Sequence, residues 1–240
     1  MLKIKYLFHS GFLVETQDKI LVFDYFEDNC KKQSAFSCGK LKPEDFSDDK
    51  EVIFFVSHAH YDHFDKEIFK LHKNSKYVIS NDLRIAKNDN ITICAPYQKF
   101  TIGDLQIETF GSTDEGISFL INIEGKKIFH AGDLNWWYWK DDTPDEEKYM
   151  KEYYQKIIEQ IRKNNNIDIA FFPVDPRLEE FCYLGGEYFA ENVKPKIMIP
   201  MHFDEKFYIC KEFKEKIERF DIEGALIERT NYLLKFKTDI

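Results

Sequence analysis

The chain has 240 residues, 43% of them hydrophobic, and this length is enough to enclose the core of one large domain. Its formal net charge of −9 disfavours an extended nucleic-acid partner, because a phosphate backbone would be held against the protein's own field. No apolar run approaches the roughly 18 residues of a membrane span, and the five cysteines form no C-x-x-C pair. We therefore predict a single cytoplasmic domain over residues 1–240, without a membrane partner or a disulfide framework.

Three short strands are predicted at the start of the chain, with sequences LKIKYLF, FLVET and ILVFD separated by polar breaks. Residues 26–50 are polar and rich in turn formers. The next segment, EVIFFV (51–56), is a continuous apolar run, which is typical of a strand buried on both faces. The segment SHAHYDHFD (57–65) therefore begins at the carboxyl end of a buried strand.

The rest of the chain alternates predicted strands and helices. A long helix begins where Thr143 and Glu146 form a capping box around Pro144. The other predicted elements are a short helix at 64–72, strands at 77–80, 91–94, 105–110, 117–123 and 126–130, the strands IDIAFFPV, KIMIP, GALIE and NYLLKF, and helices at GGEYFAENV and 205–219. This succession, without a Pro/Gly/Ser linker, predicts a layered α/β domain.

Three of the seven histidines, His58, His60 and His63, lie within six positions. Alternate side chains of an extended segment point the same way, so His58 and His60 can converge on one ion. Asp62 and His63 follow the bend and can reach a neighbouring ion. The alternative is that the histidines merely line a loop, but loops seldom gather three imidazoles and a carboxylate at this spacing. The cluster therefore predicts two adjacent metal ions.

The pattern H-x-H-x-D-H after a buried strand resembles the signature of the metallo-β-lactamase superfamily. HSGFLVE and ILVFD look like the opening hairpin of that family, IFHAGD (128–133) like the strand before its bridging aspartate, and KPKIMIPMHF like its last ligand strand. The resemblance covers most of the chain and is closest to the lactonase-like branch, typified by L-ascorbate 6-phosphate lactonase. It implies a four-layer αββα sandwich.

The resemblance also implies roles for residues outside the cluster. Asp133 is expected to bridge the two metals, His202 to be the last ligand, and Asp24 to support the metal loop by hydrogen bonding. With these residues, Asp62, His63 and His202 hold one ion and His58 and His60 hold part of the other.

The third ligand of the first ion is missing in its usual form, because no histidine lies between His72 and His130. The corresponding loop reads GSTDEG, and Asp114 is the preferred substitute, with Glu115 as its competitor. The other interpretation is a simple polar turn, since Ser, Asp and Gly favour turns on their own account. An oxygen ligand shifts metal preference, so we expect two divalent ions, zinc or manganese, with iron as an alternative.

These residues predict a metal-dependent hydrolase that uses a metal-bridging hydroxide on a small ester, lactone or phosphate-containing metabolite. Asp62 is expected to orient the hydroxide, and His130 or His9 to donate a proton to the leaving group. Fixing a ligand through its ring is the alternative role for His130. There are two alternative functions: a metal-binding protein with little or no catalysis, in a structural or sensing role, and a nuclease of the same superfamily. The net charge weakens the nuclease alternative.

Three residues are expected to bind the small-molecule substrate: His9, Trp136 and Arg177. Trp136 belongs to LNWWYWK, which can form an apolar wall or pack over a sheet edge. The planar fork of Arg177 can clamp a phosphate or carboxylate, or form a surface ion pair with Glu179 or Glu180. Substrate selection is expected in the loops 26–50, 134–146 and 175–186.

Overall fold

Two seven-stranded mixed sheets form the centre of the protein in a computed structural model that describes residues 2–27, 39–164, 166–230 and 232–234. Residues 28–38 of the predicted loop 26–50, with Cys30 and Cys38, lie outside the described residues. Among the described residues, no helix is long and apolar enough to cross a membrane.

The first sheet has the strand order β14-β1-β2-β3-β4-β5-β6. Its strands are β1 (Lys3–Phe8), β2 (Gly11–Glu15), β3 (Lys19–Phe23), β4 (Glu51–Val56), β5 (Lys76–Ser80), β6 (Ile91–Cys94) and β14 (Tyr232–Leu233). The first three strands form an antiparallel meander, and β3 to β6 are parallel. Strand β4 is buried along its apolar run, as its sequence predicts.

The second sheet has the strand order β13-β12-β11-β10-β9-β8-β7. Its strands are β7 (Lys99–Ile102), β8 (Leu105–Phe110), β9 (Ser118–Ile123), β10 (Lys126–His130), β11 (Ile169–Pro173), β12 (Ile197–Met201) and β13 (Glu223–Gly224). Strands β7 to β10 are antiparallel, and β10 to β13 are parallel. The sequence did not predict β7, a half-exposed edge strand.

The helices are α1 (Ile68–Leu71), α2 (Pro144–Ile161), α3 (Leu184–Val193) and α4 (Tyr208–Ile217), with short 3₁₀ turns at Pro43–Asp45, Pro176–Phe181 and Glu218–Phe220. The capping box that starts α2 is confirmed, since the Thr143 side chain accepts from the Glu146 N–H and the Glu146 side chain accepts in return. The helix predicted at 64–72 is shorter in the structure, and the predicted strand GALIE keeps only its first residue in β13.

Two separate apolar clusters define the layers. The larger lies between the facing sheets and continues to α2, α3 and α4 on the outer side of the second sheet. The smaller covers the outer side of the first sheet and includes Ile68 of α1. This arrangement confirms the four-layer αββα sandwich. The prediction of one domain over residues 1–240 stays a prediction.

Candidate metal centre

The predicted metal ligands come together beyond the carboxyl ends of central strands. His58, His60 and His63 follow β4, Asp133 follows β10, and His202 directly follows β12. Ligand sites of α/β sheets are commonly built at this end, because the loops after parallel strands converge there. Segments far apart in the chain therefore supply one cluster.

Asp133 lies at the centre of this cluster. Its Oδ1 is 3.1 Å from His63 Nε2 and 3.5 Å from His202 Nε2, and its Oδ2 is 3.5 Å from His58 Nε2. All four side chains are buried. One carboxylate thus faces three imidazoles through both of its oxygens, which is the arrangement expected of a residue shared by two cations.

Several buried polar atoms of the cluster lack a hydrogen-bond partner among the described residues. They include His9 Nε2, His63 Nε2 and Asp133 Oδ1. An unsatisfied buried polar atom costs about 1–3 kcal/mol, so such a concentration calls for a compensating group. Imidazole nitrogens and carboxylate oxygens are the ligands of zinc, manganese and iron in proteins. The donor set therefore fits divalent cations.

The potential ligand atoms divide into two groups, in each of which all atoms lie within 4.8 Å of one another. One group comprises His9, Asp62, His63 and His202, and the other comprises His58, His60 and Asp133. The second group matches the predicted first ion without its third ligand. The first group contains His9, which the sequence analysis assigned to the substrate.

Buried carboxylates orient two of the histidines. The Nδ1–H of His63 donates to Asp24 Oδ2 at 2.8 Å, and Asp24 also accepts from the Ser57 N–H at 2.8 Å and the Ser57 hydroxyl at 2.7 Å. The Nδ1–H of His202 donates to Asp175 Oδ2 at 2.9 Å. These bonds direct each Nε2 towards Asp133. The support from Asp24 was expected from the sequence, whereas Asp175 was not predicted, although it follows the end of β11 at the same sheet edge.

The electrostatics of the cluster are dominated by these charge pairs. Burial alone would lower the pKa of His63, but the carboxylates of Asp133 and Asp24 outweigh it and raise this pKa well above its ordinary value. Burial would raise the pKa of Asp133, but His63 and His202 hold it well below its ordinary value. Burial, reinforced by His63, lowers the pKa of His58 to about 4.

The loop GSTDEG lies against the histidine loop, and two carboxylates approach His60. Asp114 Oδ2 is 4.0 Å from His60 Nδ1, and Glu115 Oε2 is 3.6 Å from His60 Nε2. Gly116 permits this approach, since its φ is 74° and a Cβ there would lie 2.0 Å from the Ser57 carbonyl oxygen. Both candidates for the third ligand are adjacent to His60, and the preference for Asp114 stays a prediction.

His130 does not face the cluster. Its Nε2–H donates to the Ser10 carbonyl at 3.0 Å, its Nδ1 accepts from the Gly132 N–H at 3.2 Å, and its ring stacks on Phe23. Burial lowers the pKa of His130. Because both ring nitrogens are engaged with the backbone inside the core, this geometry contradicts proton transfer by His130. The residue instead ties β10 to the loop between β1 and β2.

Trp136 does not line the site either, which corrects the predicted substrate contact. Its ring is 8% exposed and packs against Tyr154 and Tyr188, with ring centroids 5.7 and 5.6 Å away. The neighbouring Trp137 faces the cluster instead. Its Nε1–H donates to the Asp133 carbonyl at 3.0 Å and its ring lies edge-on to His202 at 5.6 Å. Of the two adjacent tryptophans, Trp137 and not the predicted Trp136 therefore faces the candidate site.

An open cavity of about 430 Å³ adjoins the cluster, and Asp62, His9 and His202 lie in its wall. Arg177 also lines this cavity, and its contact with substrate stays a prediction. Its guanidinium forms a forked pair with Asp175, with Nε–H donating at 3.0 and 2.8 Å, so the expected partner Glu179 or Glu180 is wrong. Glu179 pairs with Lys140.

The fold and the site define a class of protein, and comparison with known families identifies it. The model of the β-lactamase superfamily domain matches residues 3–141, which is more than half of the chain. The chain therefore belongs to the β-lactamase superfamily, as its histidine motif predicts.

Curated relatives narrow this class. The UPF0173 metal-dependent hydrolase of Thermococcus kodakarensis is 26% identical over 222 residues, which cover 85% of each chain. The UPF0173 metal-dependent hydrolase YtkL of Bacillus subtilis is 24% identical over 226 residues, covering 85% of this chain and 86% of YtkL. The resemblance to the lactonase-like branch stays a prediction.

Solved structures share the fold. The metallo hydrolase Igni18 of Ignicoccus hospitalis superposes with a TM-score of 0.65 at 18% identity and covers 98% of this chain and 99% of its own. The metallo-β-lactamase fold protein YhfI of Bacillus subtilis gives a TM-score of 0.60 at 14% identity and covers 97% of this chain and 98% of its own.

Proposed function

We propose that the chain is a metal-dependent hydrolase acting on a small ester, lactone or phosphate-containing metabolite. The observation that carries the proposal is a set of buried ligand atoms, beside an open cavity, that make no hydrogen bond among the described residues. A structural cluster of histidines would be hydrogen-bonded throughout and closed to solvent. The curated relatives of the chain are named metal-dependent hydrolases, and these names support the same reaction class.

In this proposal, Asp62, His63 and His202 would hold one ion and His58 and His60 the other, and Asp133 would contribute to both. Two divalent cations in such a centre lower the pKa of a water molecule and polarise a carbonyl or phosphoryl oxygen. Trp137 keeps Asp133 in place through its backbone carbonyl.

Asp62 is the residue that we assign to the attacking water. Its side chain is 22% exposed and lies in the cavity wall, with Oδ2 3.5 Å from His9 Nε2. A carboxylate in this position accepts a hydrogen bond from water and orients it, and an ionised Oδ2 can accept its proton. His130 has no part in this step, because its ring is turned into the core.

The cavity has the size of a small-molecule site, and Arg177 is our candidate contact for an acidic group of the substrate. The cavity volume lies in the range of small-molecule sites, which is about 300–1,000 Å³. The wall of the cavity carries two cations, Arg177 and Lys206, and the rings of Phe8, Phe26 and Tyr61, together with the carboxylates of Asp62, Asp204 and Glu205. The guanidinium of Arg177 is held in place by Asp175, so it presents its remaining N–H groups in a fixed direction.

A metal-binding protein with little or no catalysis is the second candidate function. The observation in its favour is that the His60 side chain is 42% exposed and its carboxylate neighbours lie 3.6 and 4.0 Å away. If the ion at His58 and His60 is held weakly, the centre keeps only one firmly bound cation, which suits a structural or sensing role.

Metal reconstitution distinguishes these functions. Metal-free protein is supplied with zinc, manganese or ferrous ion, and hydrolysis of generic esters, lactones, phosphodiesters, thioesters and single-stranded RNA is measured. We expect turnover of a small substrate with at least one metal, and its loss in Asp62→Asn but not in His72→Gln, whose ring contacts Ser75 away from the cluster. Protein shown to contain two ions that hydrolyses nothing contradicts the enzyme. Cleavage of RNA alone identifies the nuclease alternative.

A further inference from the structure

His9 also has a carboxylate partner at Nδ1, as His63 and His202 do, although the side chain of this partner, Asp204, is 65% exposed. His9 Nδ1 lies 2.9 Å from Asp204 Oδ1, just as Asp24 and Asp175 accept from His63 and His202 at 2.8 and 2.9 Å. An ionised carboxylate only accepts hydrogen bonds, so Nδ1 of His9 carries the proton and Nε2 keeps its lone pair. This pairing is typical of metal-ligating histidines, whose other ring nitrogen is almost always anchored.

The free nitrogen of His9 points into the cluster. His9 is only 6% exposed, and its Nε2 has no hydrogen-bond partner among the described residues. This atom lies 3.5 Å from Asp62 Oδ2, and the His9 ring is 3.9 Å from the His202 ring by centroid. Nε2 belongs to the group of four ligand atoms that lie within 4.8 Å of one another. A buried lone pair facing three potential ligands has no evident partner other than a cation.

The backbone holds His9 in this place at an energetic cost. His9, His202 and Asp204 all have positive φ values, of 53°, 66° and 53°. Side chains other than glycine rarely adopt this region, and such strain concentrates at functional sites. The two strained loops are joined directly, since the His202 N–H donates to the His9 carbonyl at 3.1 Å. The structure thus fixes His9 beside His202 rather than leaving it to pack locally.

We propose that His9 is a metal ligand through Nε2, in the site that contains Asp62, His63 and His202, and that Asp204 is its positioning residue. This inference rests on the proposed metal centre and replaces the expected contact of His9 with substrate. With His9, this site has three imidazoles and at least one carboxylate. The other group offers two imidazoles and Asp133, so the His9 site is the richer in nitrogen and favours zinc over manganese more strongly.

Metal binding, measured apart from turnover, tests the proposal. Metal-free wild type and the variants His9→Ala, His9→Gln and Asp204→Asn are titrated with zinc by calorimetry, and the visible absorption of the cobalt-loaded proteins is recorded. We expect His9→Ala and His9→Gln to lower the affinity of one of two sites at least about tenfold and to change the cobalt spectrum. Asp204→Asn should weaken the same site, within the 10–100-fold range typical of supporting residues.

His72→Ala is the matched control, because it also removes an imidazole but lies outside the cluster. Thermal unfolding of the metal-free variants identifies any that fail to fold. If His9→Ala fails to fold, the test rests on His9→Gln, which keeps a side chain of similar length.

Unchanged affinity and an unchanged cobalt spectrum in both His9 variants overturn the inference, even if KM rises. The proposed function fails differently: a wild type that binds metal normally but hydrolyses nothing loses that function and leaves the His9 result standing.

Discussion

The half of the candidate centre that contains His63 and His202 is supported differently from the half that contains His60. His63 and His202 are buried, and each donates to a buried carboxylate, at 2.8 and 2.9 Å. His60 has a side chain that is 42% exposed, and its carboxylate neighbours are themselves largely exposed. Anchored rings are better oriented and more basic ligands. Histidines within one short motif, such as His60 and His63, thus differ in how firmly the protein orients them.

The largest effect should come from Asp133, because both halves share it. Asp133→Asn removes the charge that faces His58 through Oδ2 and His63 and His202 through Oδ1. We expect both ions to be lost and turnover to fall at least about 100-fold, beyond the range of supporting residues. Metal content by mass spectrometry and turnover after reconstitution measure this. The exposed Asp89→Asn serves as control. Retention of both ions would show that Asp133 is not shared.

The next largest effect should come from Asp24, the carboxylate that anchors His63 in the half containing His63 and His202. Asp24 is fully buried and accepts three hydrogen bonds, two from Ser57 and one from His63. Asp24→Ala leaves these donors unsatisfied, so the free energy of unfolding of the metal-free protein should fall by about 3 kcal/mol. Urea unfolding measures it. Asp175→Ala is the matched comparison, and a loss below about 1 kcal/mol for Asp24→Ala would contradict an anchoring role.

Partial metal removal should separate the two halves. With increasing chelator, we expect one ion to leave at a concentration about tenfold lower than the other, because only one half has buried carboxylate anchors. His60→Ala should abolish the early release and spare the late one, and His63→Ala should remove the late one. Loss of both ions in a single step from the wild type would mean that the halves bind as one cooperative unit.

Sequence reasoning succeeded where one local pattern determines the structure. The apolar run of β4, the spacing of His58, His60 and His63, and the Thr143 capping box each lie within a few residues. Alternation in an extended segment and hydrogen bonding at a helix start are local physics, so these features are readable without the fold.

The residues that sequence reasoning missed depend on packing between distant segments. Asp175 meets His202 27 positions later, and Asp204 meets His9 195 positions earlier. Nothing near either aspartate marks it as an anchor. Trp136 and Trp137 differ by one position, and only the direction of the loop decides which ring reaches His202. For the same reason, the backbone contacts that hold His130 in the core are not visible in the motif IFHAGD.

The smallest effect should come from the third ligand of the weaker half. Asp114 and Glu115 both lie beside His60, at 4.0 and 3.6 Å. Either carboxylate would need only a small movement of its side chain to reach a cation held by His60. Asp114 is the better placed, because its side chain is the less exposed, 44% against 57%, and loses less freedom on binding. We expect Asp114→Ala to weaken the early-released ion about three- to tenfold, at the lower limit of what supporting residues contribute, and Glu115→Ala to leave it unchanged. Chelator titration of the two variants side by side measures this. The reverse order would assign the ligand to Glu115, and no change in either variant would show that GSTDEG is a polar turn whose only contribution is to close against Ser57.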